Sequence, residues 1–341
     1  MIRSSGPPDK TTPGNVGDIY QNTNNGGIFV CKDVKHHSVR QQFIEVSAKD
    51  VNTEYVWEST LIKFDDCTDM FTEGRRFRYI DKFDFSETTT MKSMFSGSNL
   101  TTIPQMDTSN VTDMSAMFSR CMSLTTIPQM DTSKVTTMYM MFFTCLSLTT
   151  IPQMNTSKVT TMSYMFNNCP KLTSIPQIDT SNVTNTSSMF TSCSSLTTIP
   201  QMDTSKVTTM QSMFTNCRSL TTIPQMDMSN VTVSTSMFND CNKLTNLDLR
   251  NIKTNLQIGS GTSWGHLLTV DSLVNIIKEL VTQTSYKTLT MGTANLEKIA
   301  NLYCKIIDDT DPKKTMELCE STEEGAMILT DYAQLKKWNI K

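Results

Sequence analysis

A block of 24 residues returns through the middle of this chain, and that period constrains the fold more than anything else in its 341 residues. One unit, starting at Leu124, reads LTTIPQMDTSKVTTMYMMFFTCLS. Its markers recur at fixed intervals: Leu124, Leu148, Leu172, Leu196 and Leu220; Ile127, Ile151, Ile175, Ile199 and Ile223; Cys121, Cys145, Cys169, Cys193, Cys217 and Cys241. A fixed period of roughly 20–50 residues marks a stacked architecture, in which each unit buries its apolar side only against its neighbours. Such a chain presents a long surface rather than a central cleft.

The array is longer than its cysteines. Met-Phe pairs occur at Met70-Phe71, Met94-Phe95, Met117-Phe118, Met141-Phe142, Met165-Phe166, Met189-Phe190, Met213-Phe214 and Met237-Phe238. The interval is 24 residues except between the second and third pairs, where it is 23. The deletion falls in FSGSNL, where the cysteine is missing. Upstream, FDFSETTTMKSMF still aligns with MDTSNVTDMSAMF; downstream, LTNLDLRNI keeps the Leu and Ile slots and then stops. Divergent end units suit a solenoid, whose two ends face something other than another repeat.

Charged residues make up only 18% of the chain and the net charge is −3. With no dense Lys/Arg run, a phosphate-binding footprint is not expected, so nucleic acid is excluded as a partner. No stretch approaches the ~20 apolar residues of a membrane span, and no membrane insertion is expected. MIRSSGPPDKTTPGN has no apolar core segment, so a secretory signal peptide is not expected either. Six of the ten cysteines share one repeat slot. Neighbouring turns of a solenoid lie ~4.8 Å apart with parallel side chains, which fits disulfide geometry poorly. The column therefore reads as reduced, buried thiols filling space. There is no CxxC pair, and His36, His37 and His266 lie outside the array; no metal or cofactor is expected.

Within one rung, Ile127 between Thr126 and Pro128 reads as a short strand with its apolar residue inward. Pro128 has no N–H, so the strand ladder must be incomplete there. DTSK supplies turn and cap chemistry. From Val135, the spacing of Met138, Met141, Phe142 and Cys145 predicts a helical segment of about two turns. Thr186 and Ser234 replace Met at the Met138 slot, where each hydroxyl is expected to bond a nearby carbonyl and the rung to pack more loosely.

The unit DTSxVTxMxxMFxxCxxLTTIP, covering roughly Phe64 to Leu256, resembles the BspA-type leucine-rich repeats of bacterial and phage surface proteins, in a 24-residue variant. The resemblance implies a leucine-rich-repeat-like solenoid used in adhesion and surface recognition, with no catalytic residues to carry over. Many cell-anchored members have a signal peptide. The string GPPDKTTPGNVGDIYQN, with YVWE further on, resembles small β-modules of phage tail and baseplate-associated proteins; the alternative is a plain surface β-cap.

Together these readings predict an α/β solenoid of short parallel strands and helical segments, flanked by a small N-terminal β-module and a C-terminal α/β cap. The expected domains are a β anchoring module at 1–60, the solenoid at 61–258 and the cap at 259–341. Asp18–Thr23 and Ile28–Lys32 around Asn24-Asn25-Gly26-Gly27 predict a hairpin, with QFIEV and EYVWEST as further strands. At the other end, LTVDSLVNIIKELV reads as an amphipathic helix capped by Thr269, followed by strand YKTLTMG and helices in TANLEKIANLY and LTDYAQLKKW. That order also resembles the C-terminal segment of phage-encoded members, and it could cover the open end of the solenoid.

No nucleophile, base or metal cluster interrupts the repeats, so no enzyme and no catalytic residue are expected. Asp107, Asp131, Asp179, Asp203 and Asp227 form a row, with Asn155 in one place; they read as turn formers, calcium along the column being the alternative. The sequons at Asn110, Asn182 and Asn230 are by-products of the repeat. Two surfaces stand out. Columns Thr126, Thr150, Thr198 and Thr222, with Gln129, Gln153, Gln177, Gln201 and Gln225, repeat almost unchanged and suit a repetitive ligand. Tyr139, Met140, Phe143 and Leu146, with Met122 and Tyr164 on neighbouring rungs, are apolar at slots that are polar elsewhere, and read as a contact patch. The functional expectation is a non-enzymatic phage tail or baseplate-peripheral protein of the virion, made in the host cytoplasm, whose solenoid recognises a bacterial surface polysaccharide or protein receptor. Its N-terminal module would hold it to other virion proteins, and copies would form a homo-oligomer, a trimer first. The alternatives are a cell-surface adhesin and a capsid decoration protein without a receptor role.

Overall fold

Val135, Met138, Met141, Phe142 and Cys145 are all fully buried, but the backbone that carries them is a run of turns and not a helix. The computed structural model describes residues 65–72 and 83–258 without a break. Beyond these it describes only the end strands named below and positions 268, 269, 272, 273, 275, 276 and 279. In the rung beginning at Leu124, Val135 N–H donates to Thr132 C=O at 3.0 Å, and Met141 to Met138, Cys145 to Phe142 and Leu148 to Cys145 at 3.2 Å each. Met140 and Thr144, third residues of the middle two turns, have φ of 55° and 60°. A type II turn requires a positive φ at that place, and no helix continues through it.

The intervening N–H groups point along the stack. Met138, Met140, Phe142 and Thr144 donate to the carbonyls of Thr161, Ser163, Met165 and Asn167 on the next rung, at 3.3, 3.1, 2.9 and 2.7 Å. The expected α/β solenoid is corrected accordingly: the described repeats contain turns and bridges where helical segments were predicted. A two-turn helix would leave most of its N–H and C=O groups without internal partners, and Ser/Thr-rich segments form helices poorly. Tandem turns recurring every four residues give the same apolar spacing and hand the spare donors to the neighbouring rung.

Phe71, Phe95, Phe118, Phe142, Phe166, Phe190, Phe214 and Phe238 stack through the centre, successive rings 5.5–6.0 Å apart and within 18° of parallel. Each ring pair contributes ~0.5–1.5 kcal/mol beyond its area burial. The Met-Phe pairs, the Ile and Leu columns and the cysteines join them in one core that continues to Leu268, Leu273 and Ile276. Parallel bridges link Asp66, Thr90, Asp113, Thr137, Thr161, Asn185, Thr209 and Val233 in succession.

Hydroxyl groups, some buried and some exposed, fasten rung to rung. Thr132 Oγ1 donates to Asn155 O, and Thr156 Oγ1 to Asp179 O, both at 2.8 Å. Thr136, Thr160, Thr184 and Thr208 Oγ1 each donate to the carbonyl of the equivalent Thr one rung earlier at 3.1–3.2 Å. These ladders do the work that charges do on most protein surfaces. Thr186 and Ser234 are buried and bond the carbonyls of Thr209 and Asn255 at 3.3 and 2.8 Å, as expected of their hydroxyls.

The cysteines are free and buried from Cys121 to Cys241, and they are more than filler. Cys145 Sγ donates to Phe118 O at 3.1 Å and Cys169 Sγ to Phe142 O at 3.1 Å; the others follow suit at 3.0–3.1 Å. Ser98, fully buried, takes the cysteine slot of the 23-residue rung and lies 3.3 Å from Cys121 Sγ.

At the N-terminal end, β1 (Ile2–Ser4), β2 (Ile19–Asn22), β3 (Ile28–Asp33) and β4 (Gln41–Val46) form one sheet in that order. The expected hairpin is present, with Ile19 opposite Val30 and Tyr20 opposite Phe29; EYVWEST lies outside the described residues. Strands β5 (Ile62–Lys63) and β6 (Phe83–Asp84) pair in parallel. In the Ile slot a formal ladder forms only late, between β7 (Thr222–Asp227) and β8 (Asn246–Arg250), with an irregularity between Ile223 and Met226. Strand β8 lacks the proline that interrupts the rungs from Pro104 to Pro224, and proline has no N–H to give a ladder.

β9 (Leu256–Ile258) pairs in parallel with β10 (Lys287–Met291), which pairs with β13 (Trp338–Ile340). β11 (Leu302–Ile306) and β12 (Met316–Glu320) are antiparallel. Leu302, Tyr303 and Trp338 thus lie in strands where helices were predicted. The rest of those two segments lies outside the described residues. The helix capped by Thr269 is present at its described positions: Leu273 N–H bonds Thr269 O at 3.1 Å, and Ser272 N–H bonds the Thr269 hydroxyl at 3.3 Å.

Candidate binding surface

The two predicted surfaces occupy different sides of the rung sequence. On the first, Thr126, Thr150 and Thr198 are exposed and Thr222 is half-buried, while Gln129, Gln153, Gln177, Gln201 and Gln225 are all exposed. Gln129, Gln153, Gln177 and Gln201 are fixed. Gln129 Nε2 donates to Gln153 O at 2.7 Å and to Met130 O at 3.2 Å. Gln105, Gln153, Gln177 and Gln201 repeat the inter-rung bond at 2.6–2.7 Å. Because both partners are carbonyls, the atom facing them must be the amide nitrogen. Each of these side chains therefore turns its amide nitrogen to the ladder and its Oε1 away from it.

Beside this column runs an open groove of about 770 Å³, lined by Gln105, Gln129, Met130, Asp131, Thr132, Ser133, Gln153, Met154 and Asn155. Met130 and Met154 are buried beneath it. Asp131 Oδ1 accepts from Ser133 N–H at 2.9 Å. That bond, joined by the Ser133 side chain and the Lys134 charge, holds its carboxyl below the usual carboxylate value. Asp179 and Asp203 make the same turn, and the serine two residues on lowers their pKa likewise. Among the described residues no three His, Cys, Asp or Glu side chains gather as a metal site.

In the second surface, Met122 is 50% and Tyr139 38% exposed, and Met140, Phe143, Leu146 and Tyr164 are half-buried. The Tyr139 and Tyr164 rings meet edge to face with centroids 6.1 Å apart. Met140 and Tyr164 occupy the first left-handed slot of successive rungs, with φ of 55° and 59°.

Sequence reasoning passed over Gln105, Thr132 and Ser133 as site residues, and read Asp131 and Asn155 as turn formers, with calcium along the row as the alternative. The one available signal was the interruption of the Asp row at Asn155. The sequon residues Asn110, Asn182 and Asn230 use their amide nitrogens structurally, donating to Ser86, Ser157 and Ser205 carbonyls at 2.6–2.8 Å.

The profile of a family described as "Mycoplasma protein of unknown function, DUF285" matches residues 41–147, 65–177 and 145–251, more than half of the chain. The chain belongs to the DUF285 family. No curated protein matches its sequence. Among solved structures, a leucine-rich repeat protein from Eubacterium ventriosum is similar at 22% identity over 52% of this chain, with a TM-score of 0.31. The match spans 56% of that protein's length. For this DUF285 chain, the solenoid itself rests on the rung-to-rung bonding described above. Among its described residues no helix is long and apolar enough to cross a membrane.

Proposed function

We propose that this DUF285 chain is a non-catalytic recognition protein that holds its solenoid against a bacterial surface. The observation that carries the reading is the outward Gln column: its amide donors lock rung to rung, while its free acceptors repeat along an open groove. A rigid, regularly spaced row of like groups suits a repetitive ligand. In the finer form of the proposal the protein rides on a phage tail or baseplate, its N-terminal sheet held by other virion proteins and copies meeting through the Tyr139–Tyr164 patch. Membership of a family described from mycoplasmas favours a second reading, a bacterial cell-surface adhesin.

Binding of the fluorescently labelled chain to intact bacteria tests the shared part: saturable retention supports it, and no retention on any strain removes it. Imaging of assembled phage particles with an antibody to the chain separates the two readings. Met140→Ser with Phe143→Ser should leave the fold intact, since both side chains reach solvent, and should weaken self-association in sedimentation experiments. If the double variant unfolds, the patch belongs to the core.

A further inference from the structure

Asn155 is the odd member of the Asp row, and it sits in the wall of the groove. Its Oδ1 takes over the turn, accepting from Ser157 N–H at 3.1 Å and Ser157 Oγ at 2.8 Å. The carboxylates at Asp107, Asp131, Asp179, Asp203 and Asp227 make the same turn with their own serine at 2.8–3.0 Å. An aspartate there offers only acceptors, whereas an asparagine has two N–H donors left over. Here, then, the acceptors of Gln105, Gln129, Gln153 and Asp131 are joined by a donor, one rung away from a carboxylate that its turn keeps ionised.

We infer that this groove is a glycan subsite for a neutral, hydroxyl-rich polysaccharide strand. The inference rests on the surface-recognition reading above and names its ligand. A sugar hydroxyl both donates and accepts, so neighbouring hydroxyls on one ring can engage an acceptor and a donor side by side. The Asp131 carboxylate receives one hydroxyl proton and Asn155 Nδ2 donates to the adjacent hydroxyl oxygen. The Gln Oε1 atoms accept from hydroxyls further along the strand. Met130 and Met154 put thioether and methylene groups beneath the groove, suited to the C–H face of a pyranose. An acidic polymer fits less well, because Asp131 lies among its contacts and Asp107 and Asp179 flank it in the same row.

Affinity electrophoresis of the full chain through gels containing dextran, mannan, glucomannan or polygalacturonate tests the inference. Retardation by at least one of the three neutral polymers is expected. Asn155→Asp installs the residue that the other rungs carry at Asp84, Asp107, Asp131, Asp179, Asp203 and Asp227, so it should fold as the parent does, yet it should weaken that binding about tenfold, as should Asp131→Asn, given the strength of hydrogen bonds to charged groups. Asp203→Asn, the same slot outside the groove, should change it less than about twofold on the same scale. Unretarded migration in all three neutral gels, retardation by polygalacturonate alone, or unchanged binding by Asn155→Asp would each overturn the subsite. If the parent and Asn155→Asp still bind bacterial cells equally while no neutral polymer retards them, the recognition reading survives and only the glycan subsite fails.

Discussion

At the scale of single residues, the cysteine column shows how a small buried group can be a bonding element. The Phe142 carbonyl receives Cys145 N–H at 3.2 Å and Cys169 Sγ at 3.1 Å, so each thiol ties its rung to the previous one. The natural Ser98 at this slot shows that a hydroxyl is accommodated. Cys169→Ser should therefore cost less than Cys169→Ala, which loses the donor and leaves a small void; the alanine variant is expected to lose ~1–2 kcal/mol in urea unfolding. Burial pushes the Cys169 and Cys217 thiols up to about 12 from 9.0, and it raises their neighbours too. Below the unfolded value the folded chain keeps the full contribution. As pH rises above it, unfolded thiols ionise while folded ones do not, and stability falls until the folded values are reached. The urea midpoint is thus expected to drop between pH 9 and about 12, and less steeply in a variant with Cys145, Cys169, Cys193 and Cys217 all replaced by Ser. Periodicity revealed that these residues are buried and reduced. It could not reveal the bond, because the accepting carbonyl lies 27 residues earlier in the chain and carries no side-chain signature.

At the scale of the rung, one prediction of the sequence failed for a reason that the turns make plain. Val135, Met138, Met141, Phe142 and Cys145 are core residues, as their spacing said, but spacings of three and four are shared by an amphipathic helix and by turns that recur every four residues. What separates the two is the sign of φ at Met140 and Thr144, and neither residue advertises it. Glycine, the usual marker of a left-handed position, stands in these slots only at Gly97 among the described rungs. The strand reading held only in part: the rungs of Ile127, Ile151, Ile175 and Ile199 form no strand, and a ladder forms only between β7 and β8, the latter without the proline. Left-handed backbone is costly for residues with a Cβ, by roughly 1–2 kcal/mol, and β-branched Thr144 at φ 60° is the worst suited. Asn168 and Asn216 fill the same slot at 60° and 65°, and asparagine tolerates that region. Thr144→Asn should accordingly raise stability by about 0.5–1 kcal/mol, read from the urea midpoint. A lower midpoint would mean that the Asn168 Nδ2 contact to Thr144 Oγ1 at 3.5 Å matters more than the backbone.

At the scale of the whole molecule, the question is how far any rung depends on distant ones. Every contact traced between rungs, from Phe stacking to the Gln, Thr and Cys ladders, reaches one rung forward or back. Stability in such an array is a sum of rung terms and nearest-neighbour interfaces. Removing one full period should then leave a shorter protein of the same kind. Residues 196–219 are the most informative to excise. They lie outside the groove lined by Gln105 to Asn155 and outside the patch from Met122 to Tyr164. Joining Ser195 to Leu220 preserves the Leu, Ile, Met-Phe and Cys registers. Phe190, which now stacks on Phe214 at 5.7 Å, would meet Phe238. Ser188 N–H, bonded to Gln211 O at 2.8 Å, would find Thr235 O at the equivalent position. Thr186 and Ser234, the two hydroxyls in the Met138 slot, would become neighbours in the shortened core. The excised chain is expected to fold, to unfold in one transition at a lower urea concentration, and to bind cells as the parent does. Failure to fold would mean that the array is held by something longer in range than adjacent rungs. Loss of cell binding with the fold intact would place the recognition surface in the removed rung, not in the groove ending at Asn155.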